Sequence, residues 1–183
     1  MVRKLKLHEK KLLKKVDFIS WEVDNNLQEV KIMKKYFVQS RDDYTKYNKL
    51  SREIRELARK IKEVDNNDPF RAECSAQLLE KLYIMGLIPN KWDLENCNKV
   101  SASCFCRRRL PVIMKSMNMA ETVKMATQFV QQGHVRVGVE CVTDPAFLVT
   151  RNLEDFVTWV DSSKIRKHVL EYNNLRDDYD MGL

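Results

Sequence analysis

The sequence predicts an α+β fold in which a helical N-terminal region precedes a small domain of helices and strands. Glycine and proline number only four each among 183 residues, which is too few for a fold assembled from many tight turns. Apolar residues recur at helical spacing through most of the chain, and the period changes to two only after Gly133. Helices should therefore predominate, with a few strands near the C-terminal end.

The balance of charge favours a polyanionic partner. The chain has 33 Lys and Arg residues against 26 Asp and Glu residues, a formal net charge of +7. Nucleic acid is the first partner to expect for so basic a chain. The N-terminus is charged from Arg3 onward and the longest apolar stretch, residues 82–88, is interrupted by Gly86, so we expect neither a secretory signal nor a membrane span.

Residue types that carry catalysis or bind metals show no recognisable spacing. The sequence has no glycine-rich phosphate loop, no His-Glu-x-x-His and no Gly-x-Ser-x-Gly, and its three histidines lie far apart. The five cysteines form no Cys-x-x-Cys pair, and Cys104 with Cys106 lack two further ligands. We therefore expect no enzyme, no cofactor and no metal, and we interpret the cysteines as reduced, apolar fillers.

Residues 1–50 are predicted to form a basic arm and a partner-binding helical extension. The first 15 residues hold seven basic side chains and one acidic side chain. Such a run is typical of a nuclear address, an RNA-binding tail or a solubilising terminus, and these three readings stay open. Residues 18–50 mix aromatic with charged residues without a steady period, which favours helices that wrap on a partner or on the rest of the chain.

Residues 51–106 form the next predicted region, which is helical. Apolar residues at helical spacing over residues 52–64 predict a helix that Ser51 caps. Asp68 and Pro69 supply a cap and a pre-set φ angle for a second helix, so the two helices should form a hairpin.

The ends of the following helices are marked by glycine and proline. Gly86 should end the second helix by adopting a left-handed conformation. A third helix should begin at Val100 and pass through three arginines, and Pro111 should kink or restart it. The spacing of Asn118 and Glu121 predicts a capping box for a fourth helix, which Gly133 should end.

The third predicted region, residues 107–162, ends in strands. Alternating valines over residues 135–139 predict a strand, and Gly138 suits the first corner position of a two-residue hairpin turn. A later strand is predicted at residues 156–160. The last region, residues 163–183, should hold a helix capped by Ser163 and an acidic tail.

The most specific basic feature is the triplet at residues 107–109. Three consecutive arginines cover more than half a helical turn, so at least two of them can face one side and bind phosphates through their guanidinium groups. A solvated charged face is the simpler alternative, but no carboxylate lies near the triplet in sequence.

The next helix and strand extend this candidate surface. The polar face of this helix carries Lys124, Gln128, Gln131 and Gln132, and the amides at its N-terminus favour phosphate. The following strand points His134 and Arg136 outward. Gly133 fits two readings, a helix stop and a close approach of an RNA backbone. The predicted RNA-binding residues are Arg107, Arg108, Arg109, Lys115, Lys124, Gln128, Gln131, Gln132, His134 and Arg136.

The order of these features resembles the S4 RNA-binding domain, which is named after a protein of the small ribosomal subunit. The resemblance is carried by residues 108–110, a helix, residues 133–137, a turn, and Asp144 with Pro145. Residues 50–109 are similar to the helical region that precedes this domain in archaeal and eukaryotic members. The resemblance implies two helices packed on a small, mostly antiparallel sheet.

Within this family the chain resembles the nucleolar relatives of the ribosomal protein, on the runs at residues 107–114, 119–122 and 149–152. That resemblance implies a part in the small-subunit processome of the nucleolus, where such a protein helps the U3 small nucleolar RNA pair with precursor ribosomal RNA. It further implies a large acidic scaffold phosphoprotein and other processome proteins as partners, and no membrane or small-molecule substrate.

Three alternatives stay open at this point. The first is a structural protein of the mature small subunit, against which Pro111 argues because the ribosomal protein usually has a polar residue there. The second is an RNA-modifying enzyme that uses the domain as an accessory, for which 183 residues leave no room for a catalytic domain. The third is an adapter whose basic surface binds an acidic protein. The corner at Gly138 also departs from the Val-Asn-Gly turn common in the family, so the turn type should change while the hairpin survives.

Overall fold

The computed structural model describes residues 3–15 and 26–175, and for residues 12–15 and 26–27 it describes the backbone alone. The described residues up to Lys35 belong to one compact unit and those from Tyr36 onward to a second. The predicted acidic tail and residues 18–25 of the aromatic segment lie outside the described residues. No described helix is long and apolar enough to cross a membrane.

The first unit contains helices α1 (Leu7–Lys15) and α2 (Asn26–Lys35). Glu9 lies in the first turn of α1, where it accepts hydrogen bonds from the Arg3 guanidinium (2.5 Å) and from the backbone amide of Lys6 (2.8 Å). These two donors hold the pKa of the Glu9 carboxyl below its usual value. The predicted basic arm is therefore helical from Leu7.

The second unit holds helices and a three-stranded antiparallel sheet, which confirms the α+β class. The central strand (Val135–Val137) pairs with Glu140–Cys141 on one side and with Val157–Trp159 on the other. The elements are α3 (Arg41–Glu63), α4 (Pro69–Ile84), a 3₁₀ helix (Leu94–Lys99), α5 (Ala102–Arg107), α6 (Leu110–Ser116), α7 (Val123–Gln131), β1 (Val135–Val137), β2 (Glu140–Cys141), α8 (Arg151–Glu154), β3 (Val157–Trp159) and α9 (Lys164–Tyr172).

Helix α3 begins eleven residues earlier than predicted. Ser51 is not its cap but lies inside it, fully buried, and its hydroxyl donates to the Asn48 carbonyl oxygen at 2.8 Å. The apolar stripe of the helix continues back through Tyr44 and Tyr47, both of which are buried. The predicted division between residues 50 and 51 therefore falls inside a helix.

The ends of α4 follow the local signals. The Asp68 carboxylate accepts a hydrogen bond from the Phe70 amide at 2.9 Å, and Pro69 occupies the first turn. Gly86 adopts a φ of +74° just beyond the helix. Both features confirm the predicted cap and stop.

The chain between α5 and α6 breaks and restarts, as Pro111 predicted. Pro111 lies in the first turn of α6, where an amide would have no partner within the helix. The extended residues between the helices pair with a distant segment, because the Leu110 amide donates to Phe147 at 2.9 Å and the Val149 amide donates to Arg108 at 2.8 Å.

Helix α7 is capped by Thr122 and not by Asn118. The Thr122 hydroxyl accepts a hydrogen bond from the Met125 amide at 3.2 Å. Asn118 instead adopts a φ of +59° after the end of α6, a conformation that asparagine tolerates better than most residues. The predicted capping box is therefore wrong, whereas the predicted stop at Gly133 (φ +75°) is confirmed.

The sheet and two helices enclose the second unit's main core. Val137 pairs with Glu140, which leaves Gly138 and Val139 as the predicted two-residue turn, and Gly138 has the positive φ that this turn requires. Side chains of α6, α7 and the sheet pack together in the arrangement that the family resemblance implied. The fully buried members are Leu110, Met114, Ala126, Val130 and Val135.

Candidate nucleic-acid interface

The three consecutive arginines occupy three different environments. Arg107 ends α5 and is exposed, and its Nε donates to the Tyr36 hydroxyl at 3.4 Å, which raises the pKa of Arg107. Its guanidinium remains accessible from solvent. Of the triplet, Arg107 is thus the only exposed residue.

Arg108 is bound inside the fold. Its Nη2 and Nε donate to the Val149 carbonyl oxygen at 2.7 and 2.9 Å, and Nη1 lies 3.3 Å from the Glu154 carboxylate. Only 11% of the side chain is exposed. The guanidinium therefore ties α5 to the segment that leads into α8.

Arg109 is more deeply buried, with 3% of its side chain exposed. Its Nη1 donates to the Asp43 carboxylate at 3.1 Å and lies 3.3 Å from the Tyr47 hydroxyl. Burial raises the pKa of Tyr47, and the nearby guanidinium opposes that shift. Arg109 therefore joins α3 to the chain that enters α6.

Arg108 and Arg109 were both predicted to bind RNA, and the fold places each guanidinium beside a carboxylate instead of on the surface. Carboxylates are close to both guanidinium groups in space, although they lie 46 and 66 residues away in sequence. Only 11% and 3% of these two side chains are exposed, so a phosphate would have to displace neighbouring groups to reach either guanidinium.

The polar side chains predicted on α7 are brought together on one exposed face. Lys124, Gln128 and Gln131 follow one another at helical spacing, and Gln131 donates to Gln39 at 3.1 Å. Lys115 of the preceding helix α6 is also exposed, and among the described residues neither Lys115 nor Lys124 forms an ion pair. We use the name α6–α7 surface for these exposed residues of the two helices: Lys115, Lys124, Gln128, Gln131 and Gln132.

His134 and Arg136 lie at the beginning of β1 and on its outward face, and both already have partners. Nδ1 of His134 lies 3.0 Å from the Ser163 hydroxyl, which also caps α9 as predicted. The Arg136 guanidinium donates to Thr158 at 3.0 Å and to Asp161 at 2.7 Å. Both side chains are half-buried, so each has a structural role at the sheet.

A second basic feature lies on α3, where sequence reasoning missed it. An open groove of about 490 Å³ separates α3 from the 3₁₀ helix, and most of its lining side chains are basic. We call it the α3 basic groove, and it is lined by Arg52, Arg55, Glu56, Arg59, Lys62 and Asn98.

The charges of the α3 basic groove are held only loosely. Arg59 lies 3.9 Å from Glu63 and Lys62 lies 3.7 Å from Glu95, and such exposed pairs contribute little to stability. Because these pairs are weak, a phosphate backbone can compete for the side chains. The spacing of the arginines is visible in the sequence, but residues 52–64 were interpreted only for their apolar stripe.

The cysteines confirm the filler role at two positions. Cys97 and Cys106 are fully buried, and burial raises the pKa of Cys106 to about 11. All five cysteines are free thiols in the described part of the chain, although Cys141 is exposed and fills no core. The described residues contain no cluster of His, Cys, Asp and Glu that could hold a metal ion.

Fold and sequence together define the class. The sequence profile of the ribosomal protein S4/S9 N-terminal domain matches residues 4–107, and that of the S4 domain matches residues 108–155. The second match covers α6, α7, the β1–β2 hairpin and α8. The molecule is thus an S4-domain protein with the N-terminal region of the ribosomal S4 proteins.

Full-length relatives narrow this class. The chain is 60% identical over 182 residues to the U3 small nucleolar ribonucleoprotein protein IMP3 of Mus musculus, covering 99% of each chain. It is 52% identical over 183 residues to IMP3 of Saccharomyces cerevisiae, covering 100% of each chain. Identity to the small ribosomal subunit protein uS4 of Picrophilus torridus is 27% over 144 residues, 78% of this chain and 79% of that protein. The chain belongs to the IMP3 family.

Proposed function

We propose that this protein is a non-enzymatic RNA-binding factor of ribosome biogenesis. In this proposal it acts in the U3 small nucleolar ribonucleoprotein and promotes pairing of that RNA with precursor ribosomal RNA. The full-length similarity to proteins named for that particle supports the assignment. A protein with this function is located in the nucleolus, within the nucleus.

The observation that carries the pairing mechanism is the presence of two separate basic surfaces in the second unit. The α6–α7 surface belongs to the S4 domain, whereas the α3 basic groove belongs to the preceding region. Arg109 immediately precedes α6 and binds Asp43 on α3, so Asp43 marks where α6 meets α3. Arg52 and Arg59 follow Asp43 by nine and sixteen residues, or about 14 and 24 Å along a helix that rises 1.5 Å per residue. Two RNA segments can therefore be held at once.

Holding two RNA strands is sufficient to favour their pairing. Strands that approach each other repel through their phosphates, and basic side chains reduce this repulsion and release counterions. The reaction makes and breaks no covalent bond, so it needs no catalytic group. Arg107 and the two lysines of the α6–α7 surface serve one strand, and the α3 basic groove serves the other.

Protein partners complete the proposal. The net charge of +7 suits a large acidic scaffold phosphoprotein as well as RNA. The exposed Lys4, Lys6, Lys10 and Lys11 of the basic arm are available to either partner. The scaffold holds the factor in the processome together with its other proteins.

An annealing assay tests the function. Two RNA strands, one with the sequence of the small nucleolar RNA and one with that of its precursor ribosomal target, carry a donor and an acceptor dye. We expect the full chain to accelerate duplex formation, and the triple variant Arg52→Gln/Arg55→Gln/Arg59→Gln to lose most of the acceleration. The pair Lys46→Gln/Lys164→Gln, which changes exposed lysines outside both surfaces, serves as the control.

Two results would separate the parts of the proposal. A chain that binds each strand but leaves the annealing rate unchanged would contradict the pairing mechanism and leave RNA binding intact. Sedimentation of tagged protein with mature ribosomes, and not with precursor particles, would favour the structural ribosomal role instead.

A further inference from the structure

An apolar groove lies between α3 and α4, on a part of the molecule that the RNA proposal does not use. Its volume is about 450 Å³. Two of its apolar side chains are strongly exposed, Phe70 at 62% and Leu57 at 47%. We call it the α3–α4 groove, and it is lined by Leu57, Lys60, Ile61, Val64, Phe70, Cys74, Gln77, Leu78 and Lys81.

The groove faces away from the α3 basic groove. Leu57 follows Arg55 by two residues, which on an α-helix is a rotation of about 200°. The two grooves therefore lie on opposite flanks of α3, so an RNA strand in the basic groove leaves the apolar one accessible. A contiguous exposed apolar patch with a polar rim is typical of a protein-binding site.

The charges of the groove specify its occupant. Lys60 stands on the α3 wall and Lys81 on the α4 wall, and these are the charged side chains among its lining residues. Within the described part of the chain neither lysine forms an ion pair. The Glu73 carboxylate is engaged elsewhere, since it accepts a hydrogen bond from the lining residue Gln77 at 3.0 Å.

We propose that the α3–α4 groove binds an amphipathic helix of a partner protein, whose apolar face is flanked by acidic residues. A helix that enters a groove between two helices places apolar anchors at every third or fourth position. Such anchors would cover Phe70 and Leu57, while carboxylates on either side would meet Lys60 and Lys81. RNA suits this groove poorly because its floor is aliphatic and offers one aromatic side chain for stacking.

This inference is independent of the proposed RNA function. It concerns a different ligand class and a different face of α3. A variant that loses the helix should still accelerate RNA annealing, and a variant of the α3 basic groove should still bind the helix.

The test uses two synthetic peptides and the full chain. One dye-labelled peptide of 18 residues carries leucines at every third or fourth position and glutamates on both sides of them, and its matched control carries lysine in place of each glutamate. We expect the acidic peptide to bind at least tenfold more tightly than the basic one in fluorescence anisotropy. Lys60→Glu/Lys81→Glu should reverse this preference, and Phe70→Ser should weaken the acidic peptide at least tenfold.

Folding does not confuse the result, because Phe70 and both lysines are exposed and each variant's thermal unfolding is measured alongside. Equal binding of both peptides, or an unchanged preference after charge reversal, would overturn the proposal. So would displacement of the peptide by a 20-nucleotide RNA, which would make the groove an RNA site. Concentration-dependent dimerisation that Phe70→Ser abolishes would assign the groove to a second copy of the chain and would equally overturn it.

Discussion

Gly86 lies against the guanidinium of Arg108, so closely that a Cβ atom at Gly86 would be 2.8 Å from both Cζ and Nε of the arginine. The same glycine has a φ of +74°, which other residues rarely adopt. The end of α4 thus depends on a missing side chain for two reasons. The arginine cannot yield easily, because Val149 and Glu154 hold it.

Gly86→Ala should therefore be strongly destabilising. We expect a loss of more than about 2 kcal/mol, since backbone strain adds to the displaced guanidinium. Gly138→Ala is the matched control, because Gly138 has a φ of +62° but no atom within 4 Å of the added Cβ. That variant should lose only about 1 kcal/mol. Equal losses in urea unfolding would show that the contact with Arg108 is unimportant.

The buried pair of Arg109 and Asp43 should contribute to stability and not directly to RNA binding. Arg109→Ala leaves Asp43 without its partner and should cost about 3 kcal/mol. A double-mutant cycle with Asp43→Ala should show a coupling of roughly 0.5 to 3 kcal/mol. Lys124→Ala, at an exposed lysine, is the control and should change stability by less than about 0.5 kcal/mol.

Measuring RNA affinity of the folded protein distinguishes a structural role of Arg109 from direct contact with an RNA phosphate. We expect Arg109→Ala, measured at a temperature where it is fully folded, to keep the salt dependence of binding. A flatter salt dependence for Arg109→Ala than for Lys124→Ala would show that Arg109 contacts an RNA phosphate.

The sequence predicts local features well and distant partners poorly. Asp68, Gly133 and Ser163 were identified because a cap or a stop depends on residues within one helical turn. The burial of Arg109 could not be predicted because its carboxylate partner lies 66 positions away, a distance at which no spacing rule applies. The start of α3 was misplaced because aromatic residues before Ser51 were interpreted as irregular, although they extend its buried stripe.

The salt dependence of RNA binding should report the two basic surfaces separately. For single-stranded RNA each phosphate contact adds about 0.7 to the slope of log affinity against log salt, so Arg52→Gln/Arg55→Gln/Arg59→Gln should flatten it by about 2. Lys115→Gln/Lys124→Gln should flatten it by about 1.4.

A duplex with single-stranded ends can bridge both surfaces, and the two losses should then add. Filter binding between 50 and 300 mM salt, roughly the range over which counterion release is measured, provides the slopes. A combined variant that loses no more than the arginine variant alone would show that RNA contacts α3 only.

Thiol chemistry should distinguish the buried cysteines from the exposed one. Burial raises the pKa of Cys106 from 9.0 to about 11, so in the folded protein this thiol stays protonated. The raised value favours the folded state below pH 9, and this contribution is lost as the pH rises from 9 to 11. Alkylation of native protein at pH 8, followed by peptide mass spectrometry, should modify Cys141 and spare Cys106 until denaturant is added. Equal modification of both would contradict the burial of Cys106.

The last prediction concerns the Ser163 hydroxyl, which has two partners at once. It accepts a hydrogen bond from the Ile165 amide at 3.2 Å and lies 3.0 Å from His134 Nδ1, so it joins α9 to the beginning of β1. Ser163→Ala removes both interactions and should cost about 1 to 2 kcal/mol, whereas His134→Ala removes one and should cost about 1 kcal/mol. The double variant should lose less than the sum, because the shared bond is counted once.

His134→Ala also decides whether this edge of the sheet touches RNA. Since the imidazole is half-buried against Ser163, we expect the variant to lower the free energy of unfolding and to leave RNA affinity unchanged when both are measured well below its melting temperature. Ser163→Ala is the comparison, because it perturbs the same contact without removing the ring. Weaker RNA binding by His134→Ala but not by Ser163→Ala would place the imidazole on the RNA, in contact with an unpaired base.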